Sequence, residues 1–240
     1  MLTNAQIAKN ANKIPQPNRQ AATCADAAAQ KRVAKTKKRK NFWDQYAKHY
    51  NRFLSRDAAA YEQLAEWLRP VVQHKAVLEL AAGTGQLAKQ LVSAAGSIEA
   101  TDASAAMIAQ ARRENDSAKL HFSVQDMFRL PYADQSFDVV IVSNALHVVP
   151  HPEQALREIR RVLKDDGVLA APTFTHGENR IWENAKALLM KRAGFPLYSR
   201  WTSRGYLDFL QSNGWAVRKR AVVKAAFPLT YAECVKAKKP

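Results

Sequence analysis

Val77-Leu78-Glu79-Leu80-Ala81-Ala82-Gly83-Thr84-Gly85-Gln86-Leu87 sets the architecture of this chain. Ala76 to Leu80 is a short apolar run broken only by Glu79, the pattern of a buried strand. Gly83 and Gly85 follow at once. Neither carries a Cβ, so the backbone can turn sharply and let another group approach closely. Gln86 to Ala94 then reads as a helix. Working outward, the same alternation recurs. Strands are predicted at Ser97–Thr101, His121–Gln125, Phe137–Ser143 and Gly167–Thr173, with helices at Ser104–Glu114 and Pro152–Leu163 between them. Val139, Val140, Ile141 and Val142 leave no polar face, as in a strand covered on both sides. Alternation at this spacing predicts an α/β fold, a doubly wound, mostly parallel sheet with helices on both faces.

Upstream, Phe42, Tyr46, Tyr50 and Phe53 fall at helical spacing, and a second helical stretch runs from Ala58 to Leu68, with Pro70 expected to end it. Past Thr173 the pattern loosens. Helices are predicted at Asn179–Ala193 and Ser203–Ser212, then strands at Trp215–Val223 and Leu229–Val235, joined near Pro228 as an antiparallel hairpin. The expected sheet is therefore seven-stranded.

The 240 residues, 47% hydrophobic and 24% charged, suffice for one domain with its own core and exclude a wholly disordered chain. No run approaches the roughly 20 apolar residues of a membrane helix. Cys24 and Cys234 cannot build a disulfide framework, which suits a reducing compartment. No apolar segment follows Met1, so the expected setting is cytoplasmic and soluble. The net charge of +16 is uneven: residues 1–41 carry ten basic residues and one acid, Asp26. Residues 1–40 read as a basic, mostly disordered tail and 41–240 as the folded domain. The tail is open to three readings: a solvated extension, an arm for nucleic acid or another polyanion, or a targeting peptide.

Carboxylates end the second and third strands, and one sits inside the first. Asp102 stands 17 positions after Gly85, where it can accept both hydrogen bonds of a ribose diol; the alternative is a helix N-terminal residue before Ser104. Asp126 can accept from the exocyclic amine of adenine, with Met127 covering the ring face; the alternative is an ordinary loop acid. Glu79 is costly to bury unless something pairs with it, and a ligand ammonium would do so. Gly83-Thr84-Gly85-Gln86-Leu87-Ala88 also satisfies G-x-G-x-x-A, so a nicotinamide dinucleotide and oxidoreductase chemistry enter as an alternative. That fingerprint normally lies nearer the chain start, and it leaves Asp126-Met127 without a task.

Glu79 to Gly85, Asp102, Gln125-Asp126-Met127, Leu130 to Asp138, Asn144-Ala145-Leu146-His147 and Glu158 to Gly167 together resemble a class I S-adenosylmethionine-dependent methyltransferase. The chain is most similar to the small-molecule branch that includes ubiquinone and menaquinone biosynthesis enzymes. The resemblance covers Phe42 to Thr173 and fades through residues 174–214, the expected substrate or lid segment. It implies S-adenosylmethionine as cofactor and S-adenosylhomocysteine as product. In that reading Gly83 and Gly85 meet the methionine part with Glu79 near its amino group. Asp102 holds the ribose, Asp126 and the Met127 N–H read adenine, and Asn144 walls the methionine end. Ala103 and Met107 join the same cofactor-binding set, and Tyr46 and Tyr50 cap the pocket. Ala81 departs from the family pattern, which has glycine there.

Methyl transfer by in-line displacement needs chiefly alignment and exclusion of water. His147 and then His176 are the candidates if a general base is required. Phe174, Trp182, Phe195, Tyr198, Trp201 and Tyr206 suggest an apolar or aromatic small-molecule substrate, and the interleaved Arg180, Lys191, Arg192, Arg200 and Arg204 an anionic one. No nucleophile elbow, Walker loop or zinc motif occurs, and no metal is expected. An RNA methyltransferase using the basic tail is a further alternative, although the Asn-Pro-Pro-Tyr type motif is replaced by Ser143-Asn144-Ala145-Leu146.

Overall fold

The computed structural model describes residues 42–48, 50–113, 115–176, 192 and 195–238. The basic tail and the helix expected at Asn179–Ala193 therefore lie outside the described residues, Arg192 apart. The five parallel strands are β1 (Ala76–Leu80), β2 (Ser97–Asp102), β3 (Leu120–Val124), β4 (Phe137–Val142) and β5 (Leu163–Ala170). They pair in the order β3-β2-β1-β4-β5. The chain direction across the sheet reverses between β1 and β4, and ligands of such sheets bind outside the strand carboxyl ends at that reversal. The glycine turn leaves β1 there.

Two apolar layers cover the sheet. One face carries α3 (Ala58–Val72), α4 (Gln86–Leu91) and α5 (Ala105–Arg112), through Leu64, Leu68, Leu87, Leu91 and Ile108. The other carries α6 (Pro152–Val162) and α7 (Ser203–Ser212), through Leu156, Ile159, Tyr206 and Leu210. Successive side chains of a strand point to opposite faces, which is why Val139 and Ile141 join the first layer and Val140 and Val142 the second. Ahead of α3 stand two short helices, α1 (Phe42–Tyr46) and α2 (Tyr50–Leu54). Among the described residues no helix is long and apolar enough to cross a membrane.

Three expectations need correction. Pro70 lies inside α3, which runs on to Val72. In the last turn a proline forfeits only one intrahelical bond, too little to end a helix whose Leu68 and Val72 are buried. The fifth strand is interrupted, because Pro172 has no N–H for the ladder; after Ala171 and Pro172 it resumes as β6 (Thr173–Phe174). The sheet thus has eight strands rather than seven. Against β8 (Leu229–Lys236), the pairs Leu169–Cys234, Ala170–Glu233, Thr173–Thr230 and Phe174–Leu229 keep one antiparallel register, so β6 is β5 continued. On its other side β8 pairs antiparallel with β7 (Trp215–Val223), the expected hairpin.

Tyr206 anchors α7 to this interrupted strand: its buried hydroxyl donates to the Ala171 carbonyl at 2.7 Å. Tyr206→Phe should cost about 1–2 kcal/mol, because a buried acceptor loses its partner. That corresponds to a fall in Tm of roughly 3–6 °C by calorimetry; an unchanged Tm would show that water replaces the bond.

Candidate active site

The turn after β1 is left-handed at three positions: Ala81 (φ 52°), Gly83 (φ 57°) and Gly85 (φ 77°). Only glycine adopts this conformation without cost. Gly83 and Gly85 meet that requirement, whereas Ala81 carries the strain of a side chain where the family pattern has none. Space is as restrictive as conformation. A Cβ on Gly85 would lie 2.5 Å from the Phe122 ring, and one on Gly83 2.9 Å from Tyr50 Cε1.

Asp102 closes this turn onto the end of β2. Gly83 N–H donates to its Oδ2 at 2.9 Å and Ser104 N–H to its Oδ1 at 2.8 Å. Both sequence readings of Asp102 are therefore compatible with its place: it precedes the cap of α5 and also faces the glycine turn. Ser104 caps α5 by accepting from Met107 N–H at 3.1 Å, and its hydroxyl donates to Asp44 of α1. Met107 itself is buried and Ala103 exposed. Asp126 is exposed and opens its own turn, accepting from Phe128 N–H at 2.9 Å, with Met127 packed partly against the second core layer.

The N-terminal helices cover the turn. Asn51 of α2 accepts from the Thr84 hydroxyl, and the Tyr50 ring lies on Gly83. Of the two expected capping tyrosines, Tyr50 is the one on the glycine turn. Tyr46 is 44% exposed and stacks on Phe42 at 4.3 Å. Phe42 and Trp43 each meet Phe195 edge-on at 5.6 Å, so α1 joins the segment that leads into α7.

Beneath the turn lies a concentration of acidic groups. Glu79 is 3% exposed, and among the described residues nothing bonds to its Oε2. Burial raises its pKa to about 8; the Ala88 backbone N–H opposes the shift and the Asp102 charge adds to it. Burial also raises Asp102, against its two backbone bonds and with help from Asp44. Tyr50 is pushed well above its ordinary value by burial and then by Tyr61, Asp102 and Glu79. Burial likewise pushes Tyr61 up to about 12. Each acid disfavours ionisation of the others, and a cation placed among them would relieve all of them at once.

Asn144, just past β4, is also left-handed (φ 52°), a conformation asparagine tolerates. Its Nδ2 donates to Tyr61 Oη at 3.0 Å, and its Oδ1 accepts from Phe174 N–H at 2.9 Å. It is thus a joint between α3 and β6. His147 follows in a short 3₁₀ turn, buried, with Nδ1 at 2.9 Å from Thr173 Oγ1. Burial, reinforced by neighbouring His176, lowers its pKa to about 4. The two histidine candidates are therefore brought together at the strand carboxyl ends. Among the described residues no group of His, Cys, Asp or Glu could hold a metal ion.

Asp44, Asn51, Tyr61 and Thr173 did not stand out in the sequence. Their partners lie between 26 and 83 positions away, so no local spacing reports them.

Residues 78–171 match the family described as "Methyltransferase domain". A demethylmenaquinone methyltransferase of Paenarthrobacter aurescens is 33% identical over 143 residues, 57% of this chain and 56% of that protein. The chain thus spans about half the length of the curated relatives it matches. A Haloferax volcanii methyltransferase, solved in complex with a methyltransferase activator, has the same fold with a TM-score of 0.72 at 20% identity, over 83% of this chain and 100% of that one. Burkholderia thailandensis 1,6-didemethyltoxoflavin-N1-methyltransferase, solved with bound 1,6-didemethyltoxoflavin and S-adenosylhomocysteine, gives 0.63 at 18% identity, over 79% and 84%. Family match and fold agree: residues 78–171 are similar to the class I, S-adenosylmethionine-dependent methyltransferases. Within that class they are similar to the ubiquinone and menaquinone branch.

Ala81→Gly should relieve roughly 1–2 kcal/mol of left-handed strain, partly offset by the freedom glycine adds to the unfolded chain. The expected net gain in Tm is about 1–2 °C. Gly85→Ala should instead cost roughly 2–4 kcal/mol through strain and overlap with Phe122. In an NMR pH titration the His147 ring should stay neutral down to about pH 4; a midpoint near the ordinary histidine value would contradict its burial.

Proposed function

We propose that this protein transfers a methyl group from S-adenosylmethionine to a small-molecule acceptor. The observation that carries the reading is the cluster of acidic groups behind the glycine turn, above all buried Glu79 with an oxygen that no described residue satisfies. A ligand bearing both an ammonium and a sulfonium fits such a pocket. When bound, S-adenosylmethionine would supply an electrophilic methyl to an electron pair of the acceptor, sulfur keeping the carbon–sulfur pair as S-adenosylhomocysteine and any proton displaced from the acceptor passing to solvent.

The chain's own residues bind, orient and dry the site. Glu79, once ionised, pairs with the ligand ammonium, and Gly83 and Gly85 let the backbone come close. Asp102 spends one lone pair of each oxygen on Gly83 and Ser104, and a carboxylate has about four such sites, so two remain for a ribose diol. Asp126 and the Met127 N–H face adenine, with Ala103 and Met107 on the same side. Tyr50, held by α2, excludes water above the turn. Phe42, Trp43 and Phe195 offer aromatic surface to a planar acceptor, which agrees with the quinone acted on by the relatives named demethylmenaquinone methyltransferase.

A histidine whose pKa lies near 4 is a weak proton acceptor at neutral pH. His147 therefore orients the acceptor side through Thr173, and catalysis rests on alignment, with His176 nearer the substrate segment. A cytoplasmic setting is supported by the two isolated cysteines. The nicotinamide reading leaves the cation-selective acids unexplained. The RNA reading depends on the tail, which lies outside the described residues.

Calorimetry of the full chain with S-adenosylhomocysteine tests this reading. At pH 7 Glu79 is mostly protonated in the free protein, and pairing with an ammonium ionises it, so binding should release about one proton. Affinity should rise with pH up to about 8. Glu79→Gln should weaken binding roughly thirtyfold and abolish the release. The sign for stability is opposite. The folded protein keeps a proton that the unfolded chain loses above the ordinary glutamate value, so Glu79 lowers stability as pH rises toward 8. Wild type should lose Tm over that window more steeply than the glutamine variant. Absence of binding would overturn the reading.

A further inference from the structure

We infer that the cleft between α7 and β7 is an anion-recognition site for the methyl acceptor, which is thereby an aromatic or apolar molecule carrying a phosphate or carboxylate. This rests on the methyltransferase reading and names the substrate class for it. The cleft has a volume of about 1010 Å³ and is lined by Arg204 of α7 and by Arg218 and Arg220 of β7, with His176 at one end. Asp208 also lines it, so three guanidinium groups face a single carboxylate. Among the described residues none of the three arginines makes an ion pair or a side-chain hydrogen bond. Arginine presents a planar fork suited to bidentate capture of phosphate or carboxylate.

A backbone device aims two of them. β7 and β8 pair Val217 with Cys234 and then Lys219 with Glu233, so one extra residue, Arg218, is inserted in β7. Before this bulge the odd-numbered Trp215 and Val217 pack toward α7. After it the odd-numbered residues face the opposite layer: Lys219 lies over Trp67, and Ala221 and Val223 pack there. Arg218, Arg220 and Val222 are thereby turned toward α7. In an unbulged strand their even numbers would put them on the other face. Bulges re-aim side chains in this way beside functional sites. Val222, 57% exposed, adds an apolar surface to the cleft.

The cleft is also in reach of the chemistry. His176 stands just past β6, and β6 continues β5, which lies two strand positions from β1. At roughly 4.8 Å per strand, the glycine turn lies about 10 Å across the strands from the near end of the cleft and about 19 Å from the arginines of β7, which stands four positions from β1 through β4, β5 and β8. An acceptor with an aromatic body under Phe195 and an anionic group among the arginines would span that distance.

The test uses the full chain, saturated with S-adenosylhomocysteine, and phenyl phosphate as probe, with phenol and inorganic phosphate as controls. Phenyl phosphate should bind roughly tenfold or more tightly than either control, through charge-assisted bonds and the aromatic body together. The exposed pair Arg218→Gln/Arg220→Gln should remove that advantage while the melting curve and the S-adenosylhomocysteine affinity stay as in wild type. Arg204→Gln should remove part of it. The inference is overturned if phenol binds as well as phenyl phosphate, or if the double variant binds phenyl phosphate like wild type. It is equally overturned if a short polyuridine strand displaces the probe and loses its own affinity in the double variant, which would point to RNA. Failure of S-adenosylhomocysteine to bind wild type would count against the methyltransferase reading itself, separately from the arginines.

Discussion

One carboxylate ties the site together. Asp102 accepts from Gly83 on one side and from Ser104 on the other, so the exit of β1 and the start of α5 are set by the same group. That clamp joins the Ala82 N–H to Thr101 and Gly85 N–H to Ala82 backbone bonds in holding three left-handed residues, a conformation intrinsically unfavourable for Ala81 and entropically costly for the glycines. The clamp also places a negative charge beside Glu79, and the electrostatics of the pocket follow from it.

Burial and like charge act in the same direction here. Glu79, Asp102, Tyr50 and Tyr61 are all driven toward their neutral forms, mainly by the loss of water. A pocket of this kind is poorly suited to an anion and well suited to a cation. The opposite holds at the far end of the same sheet edge, where a bulge gathers arginines. The two ends thus differ in the sign of charge they accept, which suits a cationic donor at one and an anionic acceptor at the other.

The short N-terminal helices matter more than their length suggests. Asp44, Tyr50 and Asn51 each touch a different part of the site: the α5 cap, Gly83 and Thr84. Phe42 and Trp43 connect the same helices to Phe195. The covering layer is therefore bound both to the glycine turn and to the segment that leads into α7.

The primary structure alone determined the alternation of strands and helices, because a short, β-branched apolar run such as Val139–Val142 set between helical stretches favours a strand covered on both faces, and the glycine pair after such a run favours a sharp turn. It also placed carboxylates at the strand ends, since those positions follow from counting. It could not show that Ala81 must be left-handed, that Asn144 serves Tyr61 and Phe174, or that Pro172 splits a strand while Pro70 leaves a helix intact. Those outcomes depend on partners far apart in the chain and on how much buried surface resists a local preference. The facing of Arg218 and Arg220 is the clearest case. Simple alternation puts them on one side of the sheet, and a single inserted residue, specified by pairing with β8, puts them on the other.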